Sequence, residues 1–386
     1  MNRAEEGVSS KQEGIPATEA EPAKPTEPRA GAAAVIVQRT WGLVRFLVAL
    51  FLFVGALQLM KTGAASLDIL NNEGLLVRNA GSTLGLGWIG ALFVLSGSPM
   101  AATALTLVEA GSISEIQGFT MLTGSRLGAA FVVLVVAVIY ALRGGAGERK
   151  APVATAVIAL STTALVYIPG AFMGLALLNF GPFHSLELHF PGEFSDVIDL
   201  IYGGVLARVE NLPAAVIFLG GLGVLLVSFK LTDTVLPKID KEVEERSKKK
   251  WLSRKWPMFG LGSLVALVTM SVSVALTVLV PLVTKRYAKR EDILPYIMGA
   301  NITTLGDTML AAFALHSPAA VRIVLAEVIA ASLLSVIVLT FFYPQTRTLI
   351  WRFQRQMVKS KPRLAAFTAA LFISPALILG ISNLLA

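Results

Sequence analysis

Two stretches concentrate residues able to do chemistry. Pro295 to Ala312 carries Gly299, Asn301, Thr303, Thr304, Gly306, Asp307 and Thr308 inside otherwise apolar sequence, and Leu122 to Ala130 holds a counterpart, Thr123-Gly124-Ser125-Arg126-Leu127-Gly128. A charge such as Asp307 costs about 2.5–3.5 kcal/mol at the centre of a membrane helix, so an ionisable residue there points to function. Ahead of each stretch lies a hydroxyl pair with a helix-breaking setting, Ser96-Gly97-Ser98-Pro99 and Ser271-Val272-Ser273. These types divide into two chemistries. An anion needs donors. Free N–H groups at half-helix N-termini supply them, with the hydroxyls of Ser96, Ser98, Ser271 and Ser273, the amide of Asn301, and the planar fork of Arg126. A cation needs oxygens. Thr123, Ser125, Thr303, Thr304 and Asp307 offer them, alongside unwound carbonyls. Asp307 or Glu109 could instead carry a proton.

The elements that must position these groups are set by lipid. Apolar residues make up 55% of the chain, against 15% charged, and the mean hydropathy is +0.70. Several apolar runs reach the roughly 20 residues that cross a bilayer. Backbone in lipid must satisfy its own hydrogen bonds, which leaves helix bundle or barrel, and long apolar runs select the bundle. The absence of cysteine rules out disulfides and Cys-based metal or redox sites. The histidines, His184, His189 and His316, are scattered; His184 and His189 share an acidic segment where solvated surface is the simpler reading. The net charge of +8 lies in segments beside apolar runs, the mark of membrane topology and not of nucleic-acid binding.

Along the chain, residues 1–33 read as a disordered cytoplasmic tail without the layout of a signal peptide. Spans are expected over 41–60, 119–142, 153–180, 212–230, 293–315, 318–343 and 364–385, about seven in all, with an interfacial helix or loop at 61–84. Residues 85–111 and 260–283 are apolar but interrupted. Loop charge places 143–150, 238–256, 285–290 and 347–363 inside and the acidic 181–211 outside. Both flanks of 260–283 then lie inside, which is satisfied if that block dips in and returns as a re-entrant hairpin. Residues 85–111 do the same from the outside. The expected organisation is a first membrane repeat over 34–180, an acidic extracytoplasmic loop over 181–211, a second membrane repeat over 212–343 holding a basic cytoplasmic loop at 237–256, and a basic loop with a final span over 344–386. The fold class is an all-α polytopic membrane protein with inverted repeats and two re-entrant broken hairpins. That pattern points to a secondary transporter with its site near the midplane.

At these motifs the chain resembles the sodium/phosphate cotransporter family, the type II sodium-dependent phosphate transporters and their bacterial relatives. That family carries a Gln-Ser-Ser-Ser hairpin and a Gly-Ala-Asn-Ile-Gly-Thr-Thr-like segment in each half. The best match is Leu276 to Ala312, with Pro295-Tyr-Ile-Met-Gly-Ala-Asn-Ile-Thr-Thr, and the likeness spans about residues 85–142 and 257–343. Departures are specific. The family's glutamine falls at Leu95 and Met270, its middle serine at Gly97 and Val272, its first-half asparagine at Arg126, and a usual threonine at Asp307.

The resemblance implies sodium-coupled symport of inorganic phosphate, with sodium at Thr123, Ser125, Thr303, Thr304 and Asp307. Phosphate falls to Ser96, Ser98, Arg126, Ser271, Ser273 and Asn301. No catalytic residue and no cofactor beyond the coupling ion is expected. The partners are phosphate, sodium and membrane lipid, with a homodimer left open, in a multi-pass protein of the plasma (inner) membrane. Another small anion, or export, is the alternative. A membrane enzyme is a further class: Gly124-Ser125-Arg126 is similar to the Gly-x-Ser-Arg-Ser motif of undecaprenyl diphosphate phosphatases, but Leu127 follows and a paired-glutamate motif is missing. Each assignment also has a structural counterpart. Small and hydroxyl residues mediate close helix packing, Arg126 and Asp307 can neutralise each other, Glu109 suits the interface, Glu327 is a weaker interior candidate, and Lys248-Lys249-Lys250 fits a lipid-facing anchor.

Overall fold

A computed structural model describes residues 32–67, 76–143, 150–180, 193–235, 254–284 and 288–385. Most of the expected tail, the segment with His184 and His189, and nearly all of the basic 237–256 loop lie outside these residues. Contacts divide the chain into two units, Met1–Gly42 and Leu43–Ala386; the candidate residues all belong to the second. Every regular element among the described residues is helical. Six helical stretches are long and apolar enough to cross a membrane: Thr40–Ala64, Glu115–Arg143, Lys150–Phe180, Ala214–Thr232, Pro318–Lys359 and Lys361–Leu385. The protein is an all-α membrane protein.

The helices are α1 (Ala32–Ala64), α2 (Ala80–Val94), α3 (Ser98–Glu109), α4 (Glu115–Ala129), α5 (Phe131–Arg143), α6 (Lys150–Phe180), α7 (Glu193–Val209) and α8 (Ala214–Val235). They continue as α9 (Lys255–Thr269), α10 (Val272–Thr277), α11 (Leu279–Thr284), α12 (Leu294–Thr303), α13 (Leu305–Ala314), α14 (Pro318–Ile337), α15 (Tyr343–Lys359) and α16 (Lys361–Leu385). The span expected over 293–315, fifth of the seven, is two ten-residue helices that meet at Thr304. Thr303 and Thr304 turn their hydroxyls onto backbone carbonyls there, and such back-bonding bends helices.

The helix breaks sit where the hydroxyl pairs predict. Leu95 ends α2 and Met270 ends α9, both in the left-handed conformation (φ 55° and 44°). Non-glycine residues enter that region at a cost of about 1–2 kcal/mol. The next helices begin at once. Ser271 caps α10 by accepting from the Val274 N–H at 3.3 Å, and Pro99 stands in the first turn of α3, where its missing N–H costs nothing. At 15 residues each, α2 and α9 are about 22 Å long, short of a bilayer core.

Glycines bring each of these helices against a later one. A Cβ on Gly87 of α2 would fall 2.1 Å from the Met121 carbonyl oxygen of α4, and one on Gly124 of α4 would fall 2.1 Å from that of Leu84. On the second pair, Gly262 of α9 approaches the Tyr296 oxygen at 2.0 Å and Gly299 of α12 the Phe259 oxygen at 2.2 Å. Gly87 and Gly262, Leu84 and Phe259, Leu95 and Met270, Met121 and Tyr296, Gly124 and Gly299, Arg126 and Asn301 are all separated by the same number of residues. The same close crossing is therefore written twice, in the same register.

Two expected loops are partly helical. Within the acidic 181–211 segment, Glu193–Val209 forms α7. Most of the basic loop expected over 347–363 belongs to α15, Tyr343–Lys359, reached from α14 through a π-helical turn at 338–342. Basic charge marked this stretch as a loop, but Thr346, Ile350 and Gln354 recur at helical spacing and are its buried face. Arg355 lies over the Trp351 ring at 4.2 Å.

Candidate functional site: a buried charge cluster

Among the described residues the buried charged side chains are Arg126, Asp307 and Glu327, at 1%, 6% and 1% exposure. They come from α4, α13 and α14. The break at Thr304 starts α13, so Asp307 sits in its first turn, where the helix dipole favours a carboxylate. The break after Leu95 starts α3, and Ser98, its first residue, donates to Asp307 Oδ2. Thr308 Oγ1 donates to Asp307 Oδ1 at 2.8 Å. Arg126 Nη2 donates to Thr308 Oγ1 and lies 3.6 Å from Asp307 Oδ1. Both Asp307 oxygens thus carry partners.

Arg126 is less completely served. Its Nε and Nη1 atoms are buried with no hydrogen-bond partner among the described residues. Unpaired buried donors on a charged group are costly. Glu327 shows the converse. Thr123 Oγ1 lies 2.9 Å from Glu327 Oε2, while Oε1 is buried and unpartnered. Asn301 is similar: Nδ2 donates to Thr163 Oγ1 at 3.1 Å, the Tyr167 hydroxyl donates to the Asn301 backbone oxygen at 2.7 Å, and Asn301 Oδ1 is unpartnered. The cluster therefore has spare donors on Arg126 and spare acceptors on Glu327 and Asn301.

Of the residues expected for an anion, the structure brings Ser98 and Arg126 together around Asp307. Asn301 is hydrogen-bonded to Tyr167 and Thr163 of α6. Ser273 Oγ donates to the Leu95 carbonyl at 3.0 Å, tying one helix break to the other, and Ser271 Oγ accepts from the Val274 N–H as a cap. Ser96 lies half-buried at its break. Of those expected for a cation, Asp307 and Thr123 hold buried acidic contacts. Ser125 donates to the Leu122 carbonyl at 2.7 Å, Thr303 to that of Ser263 at 2.9 Å, and Thr304 to that of Asn301 at 3.1 Å. These hydroxyl protons go to the backbone, which leaves the oxygen lone pairs as acceptors.

Tyr167 and Thr163 carry no motif. Their signal in sequence is slight: Thr162-Thr163 stand one turn before a tyrosine in an apolar span. Glu327 takes a more central place than its isolated position in a span implies. Glu109 pairs with Lys61 at 2.8 Å, both partly exposed. Arg322 with Glu115, and Arg347 with Glu291 and Asp292, form further partly exposed pairs. Such pairs contribute little to stability.

A cavity of about 500 Å³ lies beside the cluster. Its wall is almost wholly apolar, from Trp88 and Leu127 across Leu160 to Pro169 and on to Phe353, Phe367 and Leu371, and none of the three buried charges lines it. No charged side chain lines it, and Trp88 and Ser161, both on its wall, each carry a buried polar atom without a hydrogen-bond partner among the described residues. Compared with family models, curated proteins and solved structures, the chain matches none of them.

Proposed function

We propose that the protein is a secondary active transporter, carrying a small oxyanion together with a cation, with sodium-coupled symport of inorganic phosphate as the specific reading. The observation that carries it is the pairing of unmet needs among buried side chains: two unpartnered nitrogens on Arg126 and unpartnered oxygens on Glu327 and Asn301. A structural ion pair needs neither. A site that binds and releases an anion with a cation needs both, because it must be incomplete when unloaded.

The surrounding architecture supports the same reading. Two short helices end in left-handed residues and restart behind a hydroxyl pair, and the same glycine crossing recurs in constant register. We read these as two re-entrant hairpins of an inverted repeat, with the cluster at their meeting point near the midplane. Broken helices at membrane depth are tolerated where protein buries them or water reaches them. The basic flanks then face the cytoplasm in a multi-pass protein of the plasma (inner) membrane. The N-terminus of α3 already serves Asp307, so Arg126 is the principal anion contact and the helix ends are secondary.

The test is uptake of radiolabelled phosphate by proteoliposomes, with and without an inward sodium gradient. Sodium-dependent accumulation is expected. If folded protein takes up no phosphate but does take up sulfate or another oxyanion, the transporter class stands and the substrate changes. If no anion moves under any gradient, the reading fails. The pairing of Arg126 with Asp307 favours a second role for this arginine, charge balance, which the paired variants in the Discussion separate from substrate contact.

A further inference from the structure

The buried charges do not balance. Arg126 and Asp307 cancel, joined directly at 3.6 Å and through Thr308. Glu327, at 1% exposure on a membrane-spanning helix, remains. An ionised carboxylate cannot stay buried without a compensating charge. Other ion pairs of the described residues lie apart from it and already have partners. The groups facing Glu327 are few. Helix α4 offers Thr123, at 2.9 Å, and Arg126, the one buried basic side chain among the described residues. Helix α13 offers Asp307, held by Arg126, and α3 offers Ser98, which is given to Asp307. Tyr296 on α12 is occupied with the Ala275 carbonyl at 2.9 Å. None supplies a second positive charge.

Resting on the transporter reading, we infer that Glu327 and Thr123 seat a sodium ion, the coupling ion of that site. The chemistry is a hard monovalent cation among hard oxygens. Glu327 presents a bare, buried Oε1, and Thr123 Oγ1 lies 2.9 Å from Oε2. Thr123 also lies 3.0 Å from the Phe119 carbonyl, within its own helix. Its single proton can go to that carbonyl and leave an oxygen lone pair facing the ion. The cluster then holds two neutral pairs, Arg126 with Asp307 and sodium with Glu327. The free Arg126 donors are left for the transported anion. This also gives a physical reason for coupling: loading sodium removes the negative charge that repels an anion from Arg126.

The test needs no transport. Thermal unfolding of the purified full-length protein is followed while sodium chloride replaces choline chloride at constant ionic strength, with potassium chloride as a second replacement. A ligand that binds the folded state raises the midpoint saturably. Wild type is expected to show this with sodium and at least tenfold more weakly with potassium. Glu327→Gln should unfold at a midpoint independent of sodium, and Thr123→Val should need several-fold more sodium for half the effect. Should Glu327→Gln fail to fold, Thr123→Val alone decides. A midpoint that follows pH and ignores sodium would place a proton on Glu327 and overturn the sodium assignment, as would a sodium response unchanged in both variants. Sodium stabilisation without uptake of any anion would leave the ion site standing and bring down the transporter reading.

Discussion

The first broken unit presses α2 against α4 through Gly87 and Gly124; the second presses α9 against α12 through Gly262 and Gly299, with approach distances that differ by no more than 0.2 Å. Where the first then presents Arg126, the second presents Asn301. Arg126 reaches across to the second unit, to Asp307 and Thr308 of α13. Asn301 reaches only α6, at Thr163. The outer faces differ as well. Gly85 lies under α16, where a Cβ would be 2.7 Å from the Pro375 oxygen, while Gly260, at the matching position of α9, has open space. The shared part is backbone geometry, and the differing part is charge and cover. Scaffold and chemistry are thus separable, and substitutions can be chosen to act on one alone.

The largest contrast is expected between Arg126→Ala and Asn301→Ala. Removing Arg126 strands the Asp307 carboxylate, at a cost of about 3–5 kcal/mol, with loss of uptake. Removing the Asn301 side chain deletes one neutral hydrogen bond, worth about 1 kcal/mol. Thermal unfolding in one detergent, with uptake on the same preparations, checks both. Similar losses at the two positions would mean that the charge gives the first unit no special role.

Next comes the serine pair. Ser98 serves a buried carboxylate and Ser273 a backbone carbonyl. Ser98→Ala should cost about 1.5–3 kcal/mol and Ser273→Ala about 1 kcal/mol. Unfolding midpoints with the order reversed would remove Asp307 as an ionised centre.

The glycines test the scaffold. Gly124→Ala and Gly299→Ala should each destabilise by about 1–3 kcal/mol, since backbone must move to admit the methyl, and by similar amounts if the two crossings are equivalent. Gly85→Ala should also destabilise, whereas Gly260→Ala should gain about 0.5–1 kcal/mol from helix propensity. Opposite signs at Gly85 and Gly260, read as midpoint shifts, are the signature of one-sided cover by α16. The smallest effect is expected at the left-handed helix ends. Leu95→Gly and Met270→Gly should each stabilise by up to about 1 kcal/mol.

Much of the scaffold was legible in sequence because its determinants are local. Ser-Gly-Ser-Pro and Ser-Val-Ser mark helix breaks through proline, glycine and capping chemistry, and long apolar runs mark spans. Asp307 and Arg126 stood out as charges in apolar sequence. What was not legible depended on partners far away in the chain. That the Thr303 hydroxyl reaches the Ser263 carbonyl is decided by the neighbouring helix. Tyr167 looked like any span tyrosine until Asn301 lay opposite. The break at Thr304, which divides the expected span over 293–315 into two short helices, was not legible, since two adjacent threonines act on helix geometry more weakly than proline. Residues 343–359 read as a loop because charge outweighed the spacing of Thr346, Ile350 and Gln354.

The most direct test of the central claim, that Arg126 contacts the transported anion and does not merely balance Asp307, is phosphate uptake by Arg126→Ala/Asp307→Ala beside each single variant, with unfolding measured on every preparation. The account predicts that the double variant regains most of the stability lost by Arg126→Ala, because no buried charge is stranded, yet remains unable to accumulate phosphate. A double variant that folds and transports like wild type would contradict it and leave Arg126 as the neutralising partner of Asp307.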